Sequence, residues 1–366
     1  MNKEIISNRQ GIILVILFIF GSTLVIGTAG EAKKDLWLAV LISIIYALPV
    51  LMAYVKLLCM FPRKDIFDIL KLVFGNLLGK IISLLFIWYA LHLGSLVLYN
   101  FSEFVGSVGL NQTPKLVFMS SFMLICVWGV KAGIEVIGRC AEILFTFFSI
   151  IMILSTLLSF SNVKLRNLLP VLENGIRPVL TGAFSGFAFP LGETVIFLMI
   201  FSCLQEKKSV FKSFIFGLLI TGGALVFLGA RNIAVLGSHI ASLVYYPEFN
   251  IIARINIGHF FQRLESAVSI VFVITGFFKI SMCLLGASKG ISKLFNIEDY
   301  RFIVIPTALI ILNLGFFVTK DIMELRNWNR QIYPYYAFIF QVILPIIVLI
   351  SAKIRYKKIN KDLSNV

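Results

Sequence analysis

Long apolar runs alternate with short polar segments along the whole chain, and this alternation is the clearest pattern in the sequence. A helix that crosses a bilayer needs about 17 to 25 predominantly apolar residues, and each run reaches that length. The predicted spans cover residues 10–30, 36–58, 81–106, 115–131, 140–160, 178–203, 211–230, 264–288, 302–319 and 332–352. The pattern therefore predicts an all-α membrane protein with about ten transmembrane helices, in a single transmembrane domain over residues 1–366.

Two connecting segments have a pattern of their own. Residues 62–80 carry apolar residues at helical spacing with charges between them, which predicts a helix lying in the membrane interface. Residues 242–261 mix polar and aromatic residues, and they are consistent with a cap of short helices over the bundle or with an ordinary interfacial loop. The polar residues 353–366 are predicted to form a cytoplasmic tail.

Composition and charge agree with a protein embedded in the bilayer. Hydrophobic residues make up 59% of the chain, charged residues make up 14%, and the mean hydropathy is +0.96. The formal net charge is +15. Lysine and arginine concentrate in the connections on the side that holds both termini, so the positive-inside rule predicts that both termini are cytoplasmic. Since the membrane explains the basic charge, no nucleic-acid partner is predicted.

Residue types that support catalysis or metal binding are scattered along the chain. The five cysteines show no CxxC spacing and the three histidines lie far apart, so neither a metal site nor a cofactor is predicted. The sequence offers no pairing of a nucleophile with a base and no phosphate-binding loop. We therefore expect that the protein is not an enzyme.

The sixth apolar run contains FSGFAFPLGE at residues 184–193, which places a proline, glycines and a glutamate in hydrocarbon. Proline removes a helical hydrogen bond, so the run predicts a helix interrupted near Pro190. The first run contains FGSTLVIG at residues 20–27, and two of its glycines recur 165 positions later in the sixth run. The first helix of each half is therefore predicted to be broken, in an inverted repeat over residues 10–160 and 178–352.

Broken helices free backbone groups that need new partners in hydrocarbon, and a bound zwitterion supplies both charges. The chain is predicted to unwind near residues 21–24 and 187–192. Amides of the first break then hold a carboxylate, and carbonyls of the second hold an ammonium group. The residues predicted to bind the ligand are Gly21, Ser22, Thr23, Leu24, Gly186, Phe187, Ala188, Phe189 and Pro190. The alternative is a pair of kinks that only shape helix packing.

Two charged residues are predicted to lie deep inside the helix bundle. Glu193 and Lys279 each lie roughly 15 residues from the outer start of their span, which places both at a depth of about 22 Å. A common depth allows a direct ion pair, which lowers the cost of burying either charge. The alternatives are that Lys279 extends to the cytoplasmic surface, and that Glu193 is a neutral, hydrogen-bonded acid. Both residues are candidates for charge, proton or ion coupling.

With these features in view, the chain resembles the endospore germination permeases. These are the B subunits of bacterial germinant receptors, within the amino acid–polyamine–organocation superfamily. The resemblance covers essentially the whole chain and is carried by FSGFAFPLGETVIFLMIF, NLLPVLENGIRPVLTGAF, FGSTLVIGTAG and QRLESAVSIVFVITGFFKIS. It implies a five-plus-five inverted repeat of the leucine-transporter type, with helices 1 and 6 broken.

The resemblance also implies a function and partners. Such a protein senses a small germinant, often an amino acid, in the spore inner membrane, together with an A-type membrane subunit and a C-type lipoprotein subunit. Span 8 lines the site in such folds, which adds Thr275 to the substrate-binding candidates. The small and aromatic residues of the break favour an aliphatic amino acid of modest size over a charged one.

Two functions of different classes stay open at this point. The first is a ligand-sensing subunit of a germinant receptor. The second is an autonomous amino-acid transporter, coupled to protons through Glu193. A transporter fold serves either function, so the sequence separates them poorly.

Overall fold

The computed structural model describes residues 4–109, 112–204, 206–253, 264–317 and 322–364. Within these ranges the chain is helical, with short 3₁₀ and π-helical turns between some α-helices. The α-helices are α1 Asn8–Ile26, α2 Leu36–Met60, α3 Ile66–Val108, α4 Lys115–Ala132, α5 Ile134–Ser159, α6 Ile176–Gly186, α7 Lys207–Leu236, α8 Ser238–Leu243, α9 Pro247–Ile252, α10 Leu264–Leu294, α11 Val304–Phe317, α12 Ile322–Gln331, α13 Tyr333–Phe338 and α14 Leu344–Ser364.

The predicted spans correspond to helices of the described chain. Eight segments of the described residues are long and apolar enough to cross a membrane. Two shorter apolar helices, Asn8–Leu24 and Val304–Phe317, supply the first and ninth spans. The protein is thus an all-α integral membrane protein, as predicted. We call the end of the bundle at which α1 begins the inner end, and the opposite end the outer end.

The sixth span is interrupted where the sequence predicts it. After α6 ends, a π-helical turn covers Phe187–Leu191 and a 3₁₀ helix covers Gly192–Met199. Phe189 leaves the helical conformation, with φ −133° and ψ 114°, directly before Pro190. A proline ring excludes the helical conformation from the preceding residue, so the local sequence accounts for the break.

The predicted unwinding of the first span at residues 21–24 is wrong. These residues are α-helical, so their amides bond to carbonyls of the preceding turn and are not free for a carboxylate. Helical conformation is lost later, at Gly27, whose φ of 73° favours glycine. α1 contains no proline, and a helix in hydrocarbon keeps its backbone hydrogen bonds unless a residue forbids them.

Packing explains the glycine that had suggested a break in α1. A Cβ atom at Gly21 would lie 2.4 Å from Cδ of Lys279 on α10. The missing side chain therefore lets the lysine stem cross the face of α1. The paired glycines of the two runs thus do not mark paired breaks: Gly21 permits close contact with α10 and Gly27 ends α1, whereas Pro190 directs the break in the sixth run.

The predicted interfacial helix at residues 62–80 is present but lies against the bundle. Its helix begins at Ile66 and joins the third span through Gly75, where φ is 79°. Ile66, Leu70 and Val73 are fully buried. The apolar face predicted to enter the bilayer therefore packs largely on protein.

Short helices lie over the outer end, as one of the two interpretations of residues 242–261 proposed. α8 and α9 cover part of that segment, and residues 254–261 fall outside the described chain. Glu248 of α9 forms a buried ion pair with Arg231 of α7, and Asn232 donates a hydrogen bond of 2.8 Å to the same carboxylate. This pair fixes α9 to the end of α7.

Candidate ligand site

A cavity of about 250 Å³ opens from the outer end into the bundle. Its floor includes Ser22 near the end of α1, Phe189 and Glu193 of the sixth span, and Tyr333 at the start of α13. The cavity wall formed by α3 includes Leu93, Leu96, Val97 and Asn100. The cavity therefore reaches the break in the sixth span, which is where the sequence predicted a ligand.

An ion pair forms the base of this floor. Nζ of Lys279 lies 2.5 Å from Oε2 of Glu193 and 3.0 Å from Oγ of Ser22. Both charged side chains are buried, and the ammonium group also lies 5.3 Å from the ring centre of Phe18 and 5.1 Å from that of Phe189. The rings and the carboxylate together stabilise a positive charge that hydrocarbon alone would exclude.

The second carboxylate oxygen of Glu193 extends the polar contacts towards α3 and the π-helical turn Ile339–Ile343, which lies between α13 and α14. The hydroxyl of Tyr333 donates to Oε1 of Glu193, and it lies 3.3 Å from the hydroxyl of Tyr89. Nε2 of Gln341 lies 2.8 Å from both the Tyr89 hydroxyl and the carbonyl oxygen of Ala188. Polar contacts therefore join α10, the break in the sixth span, α3 and the last span.

Close packing around this network requires a glycine in the break. A Cβ atom at Gly192 would lie 2.2 Å from Oε1 of Gln341. The side chain of Thr28, just after α1, donates a hydrogen bond of 2.6 Å to the carbonyl oxygen of Phe189. The carbonyl groups exposed by the break are thus bonded to neighbouring side chains, which satisfies the requirement of a low-dielectric interior.

The mouth of the cavity is basic. Its lining includes Lys33, Arg326, Arg330 and the acidic Glu31. Nε of Arg330 lies 3.8 Å from Oε1 of Glu31, in a partly exposed pair. Positive side chains around the opening raise the local concentration of solutes with a negative group.

Tyr245 contributes a neutral polar group to the cavity lining. Burial raises the pKa of its hydroxyl above the ordinary tyrosine value, so it remains protonated. The hydroxyl lies 3.5 Å from Oδ1 of Asn100, another lining residue.

The predicted ligand residues separate into two groups. Ser22 and Phe189 line the cavity together with Glu193. The others form the packing around it: Thr275 donates to the carbonyl oxygen of Gly21 at 3.1 Å, and Thr23 donates to that of Ile19 at 2.6 Å. The remaining predicted residues lie in the described interior without lining the cavity: Gly21, Leu24, Gly186, Phe187, Ala188 and Pro190.

Sequence reasoning missed the polar groups that reach the site from the last span. Tyr333 follows α12 in an aromatic YPYY stretch, which indicates only an interfacial position. Gln341 is an isolated amide in an apolar run, and that is the kind of signal that marks a functional position in a membrane helix. Neither residue has a sequence pattern that names its partner.

Comparison with known proteins identifies the family. A family model described as spore germination protein, Spore_permease, matches residues 5–323. The chain belongs to this family. Its members are receptor-like or transporter-like membrane proteins and not enzymes.

Individual spore germination proteins align over most of their length. The chain is 30% identical to spore germination protein KB of Bacillus subtilis (strain 168) over 366 residues, which cover 99% of this chain and 98% of the relative. It is 23% identical to spore germination protein B2 of the same organism, covering 88% of this chain and 87% of the relative. It is 27% identical to spore germination protein YndE over 74% of both chains.

A solved structure confirms the predicted fold class. The structure of MhsT in complex with L-phenylalanine matches with a TM-score of 0.69, over 97% of this chain and 90% of that one. Sequence identity is 14%, so this likeness establishes the leucine-transporter-like fold and nothing further.

Proposed function

We propose that this protein is a B-type membrane subunit of a spore germinant receptor. We further propose that it binds a small germinant, of the size of an amino acid, in the cavity that opens at the outer end, which we call the outer cavity. The observation that carries the proposal is the cavity of about 250 Å³ that ends on the Glu193 network. Ligand pockets for drug-sized molecules occupy about 300 to 1,000 Å³, so this volume favours a smaller solute.

The charges around the cavity favour a zwitterion held in one orientation. α1 ends at the cavity, and the C-terminal end of a helix carries partial negative charge that favours an ammonium group. The basic mouth favours a carboxylate. This orientation replaces the sequence-based proposal, in which amides of the first span held the carboxylate. Ser22 and Phe189 remain proposed contacts of the ligand.

The remaining predicted residues are proposed to support the site without touching the ligand. Gly21 and Thr275 position the lysine and the end of α1, while Glu193 and Lys279 join the cavity floor to the neighbouring helices. Because each oxygen of Glu193 already accepts a hydrogen bond, we assign it to coupling between ligand and helices.

Family membership supports a proposal about the partners and location. We propose that the subunit works with an A-type membrane subunit and a C-type lipoprotein subunit in the spore inner membrane, with both termini on the core side. The distribution of lysine and arginine supports this orientation. The two structural halves, residues 10–160 and 178–352, are proposed as inverted repeats on the strength of the fold match.

Filling the cavity tests the proposal. Leu96→Trp places an indole ring at the cavity wall, and Leu124→Trp makes the same change at a side chain that is 69% exposed towards the bilayer. Binding of twenty L-amino acids to the purified protein in nanodiscs is measured by calorimetry, and spores carrying each variant are tested for germination. We expect Leu96→Trp to weaken binding and response at least about tenfold, and Leu124→Trp to leave both unchanged.

Two results would contradict the proposal. Equal binding by both tryptophan variants would exclude the cavity as the ligand site. Concentrative uptake of an amino acid by the protein reconstituted alone would instead establish the autonomous transporter that the sequence left open.

A further inference from the structure

A second cavity, of about 300 Å³, lies at the inner end, away from the proposed ligand site. It is formed between the start of α3 and the end of α10, and its lining includes Lys71, Asn76, Lys80 and Lys293. We call it the inner cleft. None of its lining residues takes part in the contacts of the outer cavity.

Glycines determine the shape of the inner cleft. Gly75, with φ 79°, turns the chain so that the first turns of α3 fold back on the next ones. A Cβ atom at Gly79 would lie 2.9 Å from the carbonyl oxygen of Leu70. A Cβ atom at Gly290 of α10 would lie 2.5 Å from the ring of Phe67. The cleft is therefore fixed by close backbone packing.

The charges within the cleft leave a positive surplus. Nζ of Lys293 lies 2.6 Å from carboxylate oxygens of both Asp65 and Asp68, so one ammonium group is already shared by two carboxylates. Lys71 and Lys80 are exposed and make no ion pair with any described residue. These two lysines therefore remain available to a negative ligand and outweigh the charge left on the aspartates.

Exposed apolar residues adjoin lining residues of the cleft in the sequence. The exposed fractions of Leu77, Leu78 and Phe295 are 76%, 56% and 68%. Leu77 and Leu78 lie between the two available lysines in the sequence, within the segment Ile66–Val108 that is long and apolar enough to cross a membrane. Lysines in the lining, together with exposed leucines that adjoin lining residues in the sequence, match a molecule with an anionic head and an apolar tail.

We propose that the inner cleft binds the phosphate group of an anionic phospholipid, held by Lys71 and Lys80, with the acyl chains against Leu77 and Leu78. Asn76 supplies a neutral donor between the two lysines. The site joins the turn at the start of α3 to the end of α10, the helix that carries Lys279. A lipid bound there holds these two elements together from the inner side of the membrane.

Lipid selectivity tests the proposal directly. The full-length protein is placed in nanodiscs of phosphatidylcholine with a minor fraction of phosphatidylglycerol, and retained lipids are counted by native mass spectrometry. Each lysine held against an anionic headgroup contributes roughly a fivefold preference, so Lys71→Gln with Lys80→Gln should lower the selectivity for phosphatidylglycerol about twenty-fivefold. The control is Lys131→Gln with Lys208→Gln, which removes two exposed lysines outside the cleft and should keep the selectivity.

A second measurement separates a lipid headgroup from a free anion. In detergent, the thermal midpoint is compared in inorganic phosphate and in sodium chloride at equal ionic strength. We expect phosphatidylglycerol to raise the midpoint of the unmodified protein and free phosphate to leave it unchanged, because phosphate lacks the acyl chains. Equal selectivity in the two double variants would overturn the site, and a full stabilisation by phosphate alone would overturn its assignment to lipid.

Discussion

Removing the buried charges of Lys279 and Glu193 one at a time, and then together, is the sharpest test of the network under the cavity. Lys279→Met keeps an unbranched stem against Gly21, and Glu193→Gln keeps the shape of the carboxylate. The substitutions therefore remove charge with little change in volume. Each single variant leaves the other charge buried without its counter-ion.

The structure sets the size of the expected effect. Both side chains are buried at a separation of 2.5 Å, and breaking such a pair costs about 3 to 5 kcal/mol. The double variant contains no buried charge at this position. Its loss of stability should therefore fall below the sum of the single losses by about 2 kcal/mol or more.

The assay is the free energy of unfolding of the purified variants in one detergent or nanodisc composition. The control cycle uses Arg139→Met and Glu135→Gln, whose side chains are 72% and 40% exposed and 3.7 Å apart. That pair should show a coupling energy of at most about 0.5 kcal/mol. If the Lys279 and Glu193 losses simply add, the reasoning from burial and distance is refuted, and Tyr333 and Ser22 suffice to hold each charge separately.

Two further substitutions test neighbouring contacts. Gly21→Ala places a Cβ atom 2.4 Å from Cδ of Lys279 and should lower the free energy of unfolding by about 1 to 3 kcal/mol. The control is Gly223→Ala, where the added Cβ atom meets no neighbouring atom within 4 Å, and this change should be neutral or slightly stabilising. Tyr333→Phe removes only the hydroxyl that donates to Glu193 and should cost about 1.5 kcal/mol or more in the same assay. A fully stable Gly21→Ala would show that the lysine stem has room to move, and a neutral Tyr333→Phe would show that the carboxylate needs no second donor.

Local chemistry explains how much of the fold the sequence could predict. Apolar runs must be helical in hydrocarbon, because no other structure satisfies their backbone groups, so the spans could be located from the sequence. Pro190 excludes the helical conformation from the residue before it, so the break in the sixth span could be placed near this proline. The shared depth of Glu193 and Lys279 allowed an ion pair, and the structure confirms it.

The errors and omissions arise where distant parts of the chain meet. Gly21 suggested a helix break, but a glycine stands there because the stem of Lys279 crosses α1 at this point. Lys279 lies 258 positions later in the sequence. Tyr333 and Gln341 reach the network only because the last span packs beside the sixth. No local pattern records such a contact, so a sequence without aligned relatives cannot supply it.

The arrangement of the floor explains how a small ligand can change the conformation of the whole bundle. In the proposed function, the ligand contacts Ser22 of α1, which accepts a hydrogen bond from Lys279 of α10 and is joined through that lysine to Glu193 of the sixth span. A ligand that competes for the hydrogen bond between Ser22 and Lys279 weakens a bond between α1 and α10. A hydrogen bond to a charged group contributes about 1.5 to 3 kcal/mol, and about 1.4 kcal/mol changes a conformational equilibrium tenfold. Exchanging this single contact of Lys279 therefore provides enough free energy to shift the helices from one arrangement to another, provided that the ligand binds the two arrangements with different affinity.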